Sequence, residues 1–302
     1  MISKSLFHFP PIRFKENQKR LWNPILKKTY VIRPEEQVRL QFVEYLLLEV
    51  GFSKNRISFE SPVSLPRDKS ASRTDIICYD EDFNPLLLVE CKAPSVQLDE
   101  KAALQIARYN TEVKAPYLLV TNGLYDYWFQ FSVDQIKNLN SIPSQFSPSQ
   151  EVDYTFEYWV KRGFAGQLAQ PEMKQWLVDN AISLYIKNTN PARFFSFEGT
   201  EPDLFLPNFY QVLMINEQTR LAVAFSSTPF GSTKFNAILN QGGENIGLLS
   251  SSLDIVASEE IANTLIQNAH GIKMVDIVDE IGFDFQKSVK DLAQAISKLM
   301  MA

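Results

Sequence analysis

The chain has 302 residues, 45% hydrophobic and 22% charged, with a formal net charge of −5 and an isoelectric point of about 5.3. That composition suits a globular protein long enough for two cores, and its acidic balance argues against tight unaided binding to duplex DNA. No apolar run approaches the roughly 18–20 residues that span a bilayer, and the first ten residues lack a secretion-signal pattern, so a cytoplasmic protein is expected.

Cys78 and Cys91 fall inside apolar runs and read as free buried thiols in a reducing compartment. His8 and His270 are far apart. Two His and two Cys without ligand spacing exclude structural zinc and a His-dependent hydrolase. Acid–base chemistry then falls to carboxylates, Lys, Tyr or activated water.

In chain order, residues 1–32 read as an irregular arm with a short strand near Thr29–Ile32. The first 40 residues hold nine Lys and Arg against three Glu, either a basic surface or a solvated basic tail. Pro34 suits the first turn of a helix that carries Val38, Phe42, Tyr45 and Leu46 at helical spacing and ends at Gly51. Arg56 to Leu65 reads as a strand broken by Pro62. A polar loop over 67–72 follows; with Arg73, its Arg67 and Lys69 either meet phosphate or are solvated.

Arg73–Asp80 and Pro85–Pro94 are apolar runs joined by a polar turn, which predicts a hairpin of buried strands. Each carries charge where a buried strand should not: Asp75 in the first, Glu90 and Lys92 in the second. Strand alternation puts Glu90 and Lys92 on one face, and pairing brings Asp75 toward them. Two hard oxygen ligands in an apolar setting suit Mg2+ or Mn2+; the bland reading is a structural Glu–Lys pair at a sheet edge. A helix from Asp99 to Val113 stacks Gln105 and Tyr109 on one face. Ala115–Gly123 reads as a buried strand and Tyr125–Phe131 as an edge strand.

Asp75, Glu90-Cys-Lys92, Gln105-Ile-Ala-Arg-Tyr109 and Val120-Thr-Asn-Gly123 in this order resemble the PD-(D/E)xK nucleases. Residues 33–131, opening with Arg33-Pro-Glu-Glu-Gln-Val-Arg39, resemble the N-terminal nuclease module of type I restriction enzyme R subunits. The resemblance implies an α/β, restriction-endonuclease-like core with a central mixed sheet flanked by helices. It implies Mg2+-dependent (or Mn2+-dependent) hydrolysis of DNA phosphodiester bonds, in line, leaving a 5′-phosphate. Asp75, Glu90 and the Cys91 backbone carbonyl would hold the ion. Lys92 would orient water or counter developing charge, with Gln105 and Tyr109 as accessory residues. A glutamate of the first helix often joins such sites; Glu36 fits the pattern better than Glu35 or Glu44, although Glu35 and Glu36 also suit the helix dipole. Cutting both strands commonly takes two sites, which suggests a homodimer. No Gly-x-x-x-x-Gly-Lys-Ser/Thr is present, so the motor of the R subunits is not expected.

Residues 136–190 read as a linker and bridging helices, including one over Glu172–Ile186. Residues 191–302 read as an α+β domain rich in strands (Phe194–Phe197, Tyr210–Asn216, Thr219–Ser226, Phe235–Leu239), with helices over Ser258–Ala269 and Lys287–Met300. No chemistry is legible there, and a protein partner, nucleic acid or second copy are its candidate roles. With 33–135 as the nuclease domain, the leading expectation is a DNA nuclease without its own motor. The alternatives are a nuclease-fold binding or assembly module, and a nuclease acting on RNA or on branched or single-stranded ends.

Overall fold

The structure is a computed structural model that describes residues 1–63, 72–132, 135–195 and 208–302. The chain folds as two units, Met1–Pro11 with Arg20–Val152, and Ile12–Lys19 with Asp153–Ala302.

Residues 1–32, expected to be an irregular arm with one short strand near Thr29–Ile32, carry three strands: β1 (Ile12–Lys15), β2 (Gln18–Asn23) and β3 (Lys28–Tyr30), the last two an antiparallel hairpin. Alternate residues Lys19, Leu21 and Asn23 are buried, and the Asn23 carboxamide accepts from the Ile25 and Leu26 N–H groups to close the turn.

Helix α1 (Pro34–Leu48) starts on Pro34 with Glu35 and Glu36 in its first turn. It is buried around most of its circumference. Gly51 follows at φ +71, where a Cβ would lie 2.5 Å from the Gln150 side chain. Strand β4 (Ile57–Phe59) ends at Glu60, whose φ of +53 turns the chain. The strand expected over Arg56–Leu65 is therefore shorter. A small ladder pairs β5 (Pro62–Val63) with β6 (Ser72–Arg73); Arg67 and Lys69 lie outside the described residues.

Strands β7 (Ile76–Tyr79) and β8 (Pro85–Cys91) form the expected hairpin, with Ile76 opposite Val89 and Cys78 opposite Leu87. Helix α2 (Glu100–Val113), capped by the Asp99 carboxylate, carries the chain to β9 (Tyr117–Thr121), which runs parallel to β8. Then come β10 (Asp126–Ser132) and β11 (Gln135–Leu139). The order β11-β10-β9-β8-β7-β4 makes a mixed six-stranded sheet. On one face Val38, Phe42 and Leu46 of α1 share a core with Cys78, Val89 and Trp128. On the other, Ala102 and Ile106 of α2 pack with Ile77, Leu88 and Leu118.

Two expectations are corrected here. The strand over Tyr125–Phe131 is not the edge, because β11 pairs beyond it. The start of the stretch expected over 136–190 to be linker and bridging helices instead adds most of β11 and a core side chain to the first unit. Phe146 is fully buried, with ring centroids 6.0 Å from Phe52 and 5.7 Å from Trp128, and its carbonyl accepts from the Tyr45 hydroxyl at 2.6 Å.

The second unit has helices α3 (Phe156–Lys161) and α4 (Pro171–Ala181), the latter running on through a π turn at Ile182–Ile186. An antiparallel seven-stranded sheet follows in chain order: β12 (Arg193–Phe195), β13 (Asn208–Met214), β14 (Thr219–Ser227), β15 (Thr233–Gln241), β16 (Glu244–Ser252), β17 (Thr264–Asn268) and β18 (Gly271–Val275). Short helices α5 (Leu253–Ala257) and α6 (Ile277–Ile281) flank β17 and β18. Helix α7 (Val289–Met301) starts on a Ser288–Asp291 capping box and buries Leu292, Ile296 and Met300. The helix expected over Ser258–Ala269 is a correction. Glu259 and Ala262 adopt φ of +56 and +57, which no helix continues through. Thr264 and Ile266 then alternate inward as strand residues. Among the described residues no helix is long and apolar enough to cross a membrane.

Replacing Phe146 by Ala should destabilise the protein by roughly 3–5 kcal/mol in urea unfolding, the usual cost of emptying a buried aromatic site. A loss below about 1 kcal/mol would show that Phe146 is not part of the core.

Candidate active site

The β7–β8 register continues past Ile76 and Val89 and sets Asp75 beside the end of β8. Asp75 Oδ2 accepts from the Cys91 backbone N–H at 2.6 Å. Asp75 and Glu90 are 8% and 5% exposed, so both carboxyls are largely withdrawn from water. Glu90 shares strand parity with Leu88, on the α2 face. Lys92, two residues on, returns to the same side, and its Nζ donates to Glu90 Oε1 at 2.6 Å. The Lys92 backbone N–H is pinned to the Thr121 carbonyl at 2.8 Å. From α2, Gln105 Nε2 donates to the same Glu90 oxygen at 2.8 Å, and its Oε1 accepts from Lys92 Nζ at 3.2 Å. Gln105 Nε2 also lies 3.3 Å from the Tyr109 hydroxyl. Glu90, Lys92, Gln105 and Tyr109 thus form one connected chain.

A second group meets Asp75 from α1. Arg39 Nε lies 3.2 Å from Asp75 Oδ1, a charge contact without an aligned hydrogen bond. The other guanidinium nitrogens reach Glu36 and Glu60, both at 3.2 Å, and Glu35 at 3.0 Å. Tyr30 donates to the second oxygen of Glu60 at 3.2 Å. Glu36 is brought into this group, and its Oε1 is buried with no hydrogen-bond partner. Glu44 is buried farther along α1. Arg39, Glu60 and Tyr30 are not among the sequence-predicted site residues. The available signal was Glu35 and Glu36 standing four and three residues before Arg39 on a helix.

Burial dominates the electrostatics. It pushes the Glu36 carboxyl up to about 7, against the pull of Arg39. It pushes Glu90 up to about 7, with the Asp75 charge adding to the rise and Lys92 opposing it. Asp75 is raised by burial in spite of Arg39 and the Cys91 N–H. Burial works against the Lys92 ammonium, but its bond to Glu90 and the surrounding carboxylates outweigh it and raise its pKa. Both cysteine thiols are raised by burial and stay neutral.

Several desolvated carboxyls face two cations, and one carboxylate oxygen lacks any partner. A divalent cation would relieve that imbalance, and the donors are the hard oxygens Mg2+ and Mn2+ prefer. No group of three His, Cys, Asp or Glu side chains among the described residues forms a ready cage. Mg2+ commonly takes only one or two carboxylates and fills the rest with water, so Asp75 and Glu90 fit it.

Two outcomes follow for the metal-free protein. Glu36 and Glu90 bind protons more tightly folded than unfolded. Their contribution to stability is present in full below the ordinary carboxylate value and is lost as pH rises through about 7. Urea unfolding in EDTA should therefore show this loss, and Glu36→Gln should flatten it; an unchanged profile in the variant contradicts the assignment. Arg39→Met leaves the surrounding carboxylates uncompensated and should destabilise by roughly 3–5 kcal/mol, whereas a neutral effect would mean that Arg39 does not hold them.

A comparison with curated proteins finds no match to the chain. Residues 34–143, about a third of the chain, match the family described as Type I restriction enzyme R protein N terminus (HSDR_N). The matched span runs from the first turn of α1 past β11 and contains Glu36, Asp75, Glu90, Lys92, Gln105 and Tyr109. Over those residues the chain is similar to the N-terminal segment of type I restriction enzyme R proteins.

Proposed function

We propose that the first unit is a metal-dependent nuclease of the PD-(D/E)xK type that hydrolyses DNA phosphodiester bonds, in restriction or DNA processing, without a motor of its own. The observation that carries this reading is the half-buried chain Glu90–Lys92–Gln105–Tyr109 beside Asp75 at the open end of the β7–β8 hairpin. A Glu–Lys pair kept only for structure has no need of a Gln that bonds both partners at once.

Asp75, Glu90 and the Cys91 carbonyl are the ligands in this reading. A divalent ion there would supply Lewis acidity to the phosphate and make a bound water more acidic. The protein's own groups do the remainder. Glu90 keeps Lys92 protonated, so the ammonium is ready to meet a phosphate oxygen and counter the charge that develops during attack. Gln105 fixes the Lys92 ammonium from the helix side, and Tyr109 braces Gln105. Glu36, with a free oxygen and a pKa near 7, is placed to hold a proton at neutral pH. A 5′-phosphate product, action as a homodimer, a protein partner for the second unit and a cytoplasmic setting belong to the same reading.

One observation favours the alternative of a nuclease-fold binding or assembly module. Arg39 already neutralises Asp75, much as a cation would.

Cleavage of plasmid, linear duplex, single strands and RNA should be measured with Mg2+ and with Mn2+. Cleavage should require the metal and stop in EDTA. Asp75→Ala and Lys92→Ala should each lower it roughly 100-fold or more, and Gln105→Ala roughly tenfold, with urea unfolding still cooperative. Cleavage that survives both Asp75→Ala and Lys92→Ala rejects the site. Absence of cleavage on every substrate, with no metal uptake by calorimetry, supports the binding module instead.

A further inference from the structure

The second unit has a groove of about 480 Å³ on one face of its sheet. It is lined by Asn190, Arg193, Tyr210, Arg220, Asn240 and Asn245, with Val212, Ala222 and Ile238 between them. The strand register explains the layout. Arg193 on β12 stands opposite Tyr210 on β13. Arg220 on β14 stands between Met214 and Asn240, and Asn240 opposite Asn245. Between these two rows Val212, Ala222 and Ile238 form a cross-strand apolar row. Along β13 the rows are four residues apart, about 13 Å at strand rise.

Arg193 and Arg220 are both exposed, and neither pairs with a carboxylate among the described residues. In a chain of net charge −5, two guanidiniums on one concave face with no carboxylate partner among the described residues mark a place for an anion. Rows about 13 Å apart are too far for one phosphate and suit two phosphates of one strand. The flat apolar row with Tyr210 offers a surface for base planes. The three asparagines can donate and accept, as base edges require; the Asn240–Asn245 bond at 2.9 Å leaves each amide with capacity to spare. An acidic peptide would use the arginines but not the apolar floor or the amides.

We infer that this face of the seven-stranded sheet binds single-stranded nucleic acid, with Arg193 and Arg220 on phosphates and the Tyr210–Val212–Ala222–Ile238 surface under the bases. The groove belongs to the second unit, and binding there does not depend on catalysis. With two phosphate contacts, binding is salt-sensitive and modest.

The test is fluorescence anisotropy of a labelled single-stranded oligonucleotide with the full chain, at low salt and in EDTA so that no cleavage intervenes. The intact chain should bind the single strand more tightly than the matching duplex, whose bases are unavailable for stacking. Arg193→Ala with Arg220→Ala should weaken binding roughly tenfold or more, and each arginine lost should reduce the salt slope by about 0.7. Both residues are exposed and without ion pairs among the described residues, so thermal melting of the double variant should match that of the intact chain. Tyr210→Leu should weaken binding without changing the salt slope. Unchanged binding in the double variant, equal affinity for duplex, no binding by the intact chain, or displacement by polyglutamate as effective as by unlabelled oligonucleotide would each overturn the inference.

Discussion

The hydrogen bond from the Cys91 N–H to Asp75 Oδ2 joins the end of β7 to the end of β8 where charged residues replace apolar ones. Other features of the site follow from it. The β7–β8 ladder brings Asp75 near Glu90, and this bond holds its carboxylate there, so that the Asp75 charge is part of what raises the Glu90 pKa. The bond also orients the other Asp75 oxygen toward Arg39. Burying these groups singly would be strongly unfavourable. The fold tolerates them because each is tied to a partner from a different element: β8 to α2 through Gln105, and Asp75 to α1 through Arg39.

Those ties divide the site into two halves with different characters. On the α2 side, Glu90, Lys92, Gln105 and Tyr109 satisfy one another, so the Lys92 ammonium is held rather than flexible. On the α1 side, Arg39 serves four carboxylates and leaves one oxygen of Glu36 without a partner. The unequal satisfaction places the electrostatic deficit around Asp75 and Glu36. A divalent ion held by Asp75 and Glu90 would offset part of that deficit, and the preorganised Lys92 is bonded to the second of these carboxylates.

Much of the core was legible because its periods are simple. Strand parity alone put Glu90 and Lys92 on one side, and four-residue helical spacing put Gln105 over Tyr109. Asp99 announced α2 as its cap. What stayed hidden lacked a period. Helix α1 is buried nearly all round, so Arg39 stood out on no stripe. Glu60 enters the site through a left-handed turn that no pattern signals. Phe146 is a lone aromatic among Pro, Ser and Gln, and its burial depends on partners distant in sequence. The apolar residues of 261–266 fit a helix or a strand equally, and the backbone at Glu259 and Ala262 decided the matter. The groove of the second unit arises from register across five strands, and no single stretch of sequence contains it.

The most direct measurement is a crystal of the protein soaked in Mn2+, with diffraction collected for the anomalous signal of the metal. The account requires a peak within ligand distance of both the Asp75 and Glu90 carboxylates, with Lys92 still hydrogen-bonded to Glu90 or Gln105. An empty anomalous map at Mn2+ concentrations that saturate ordinary carboxylate sites, with Arg39 still seated on Asp75, would contradict it.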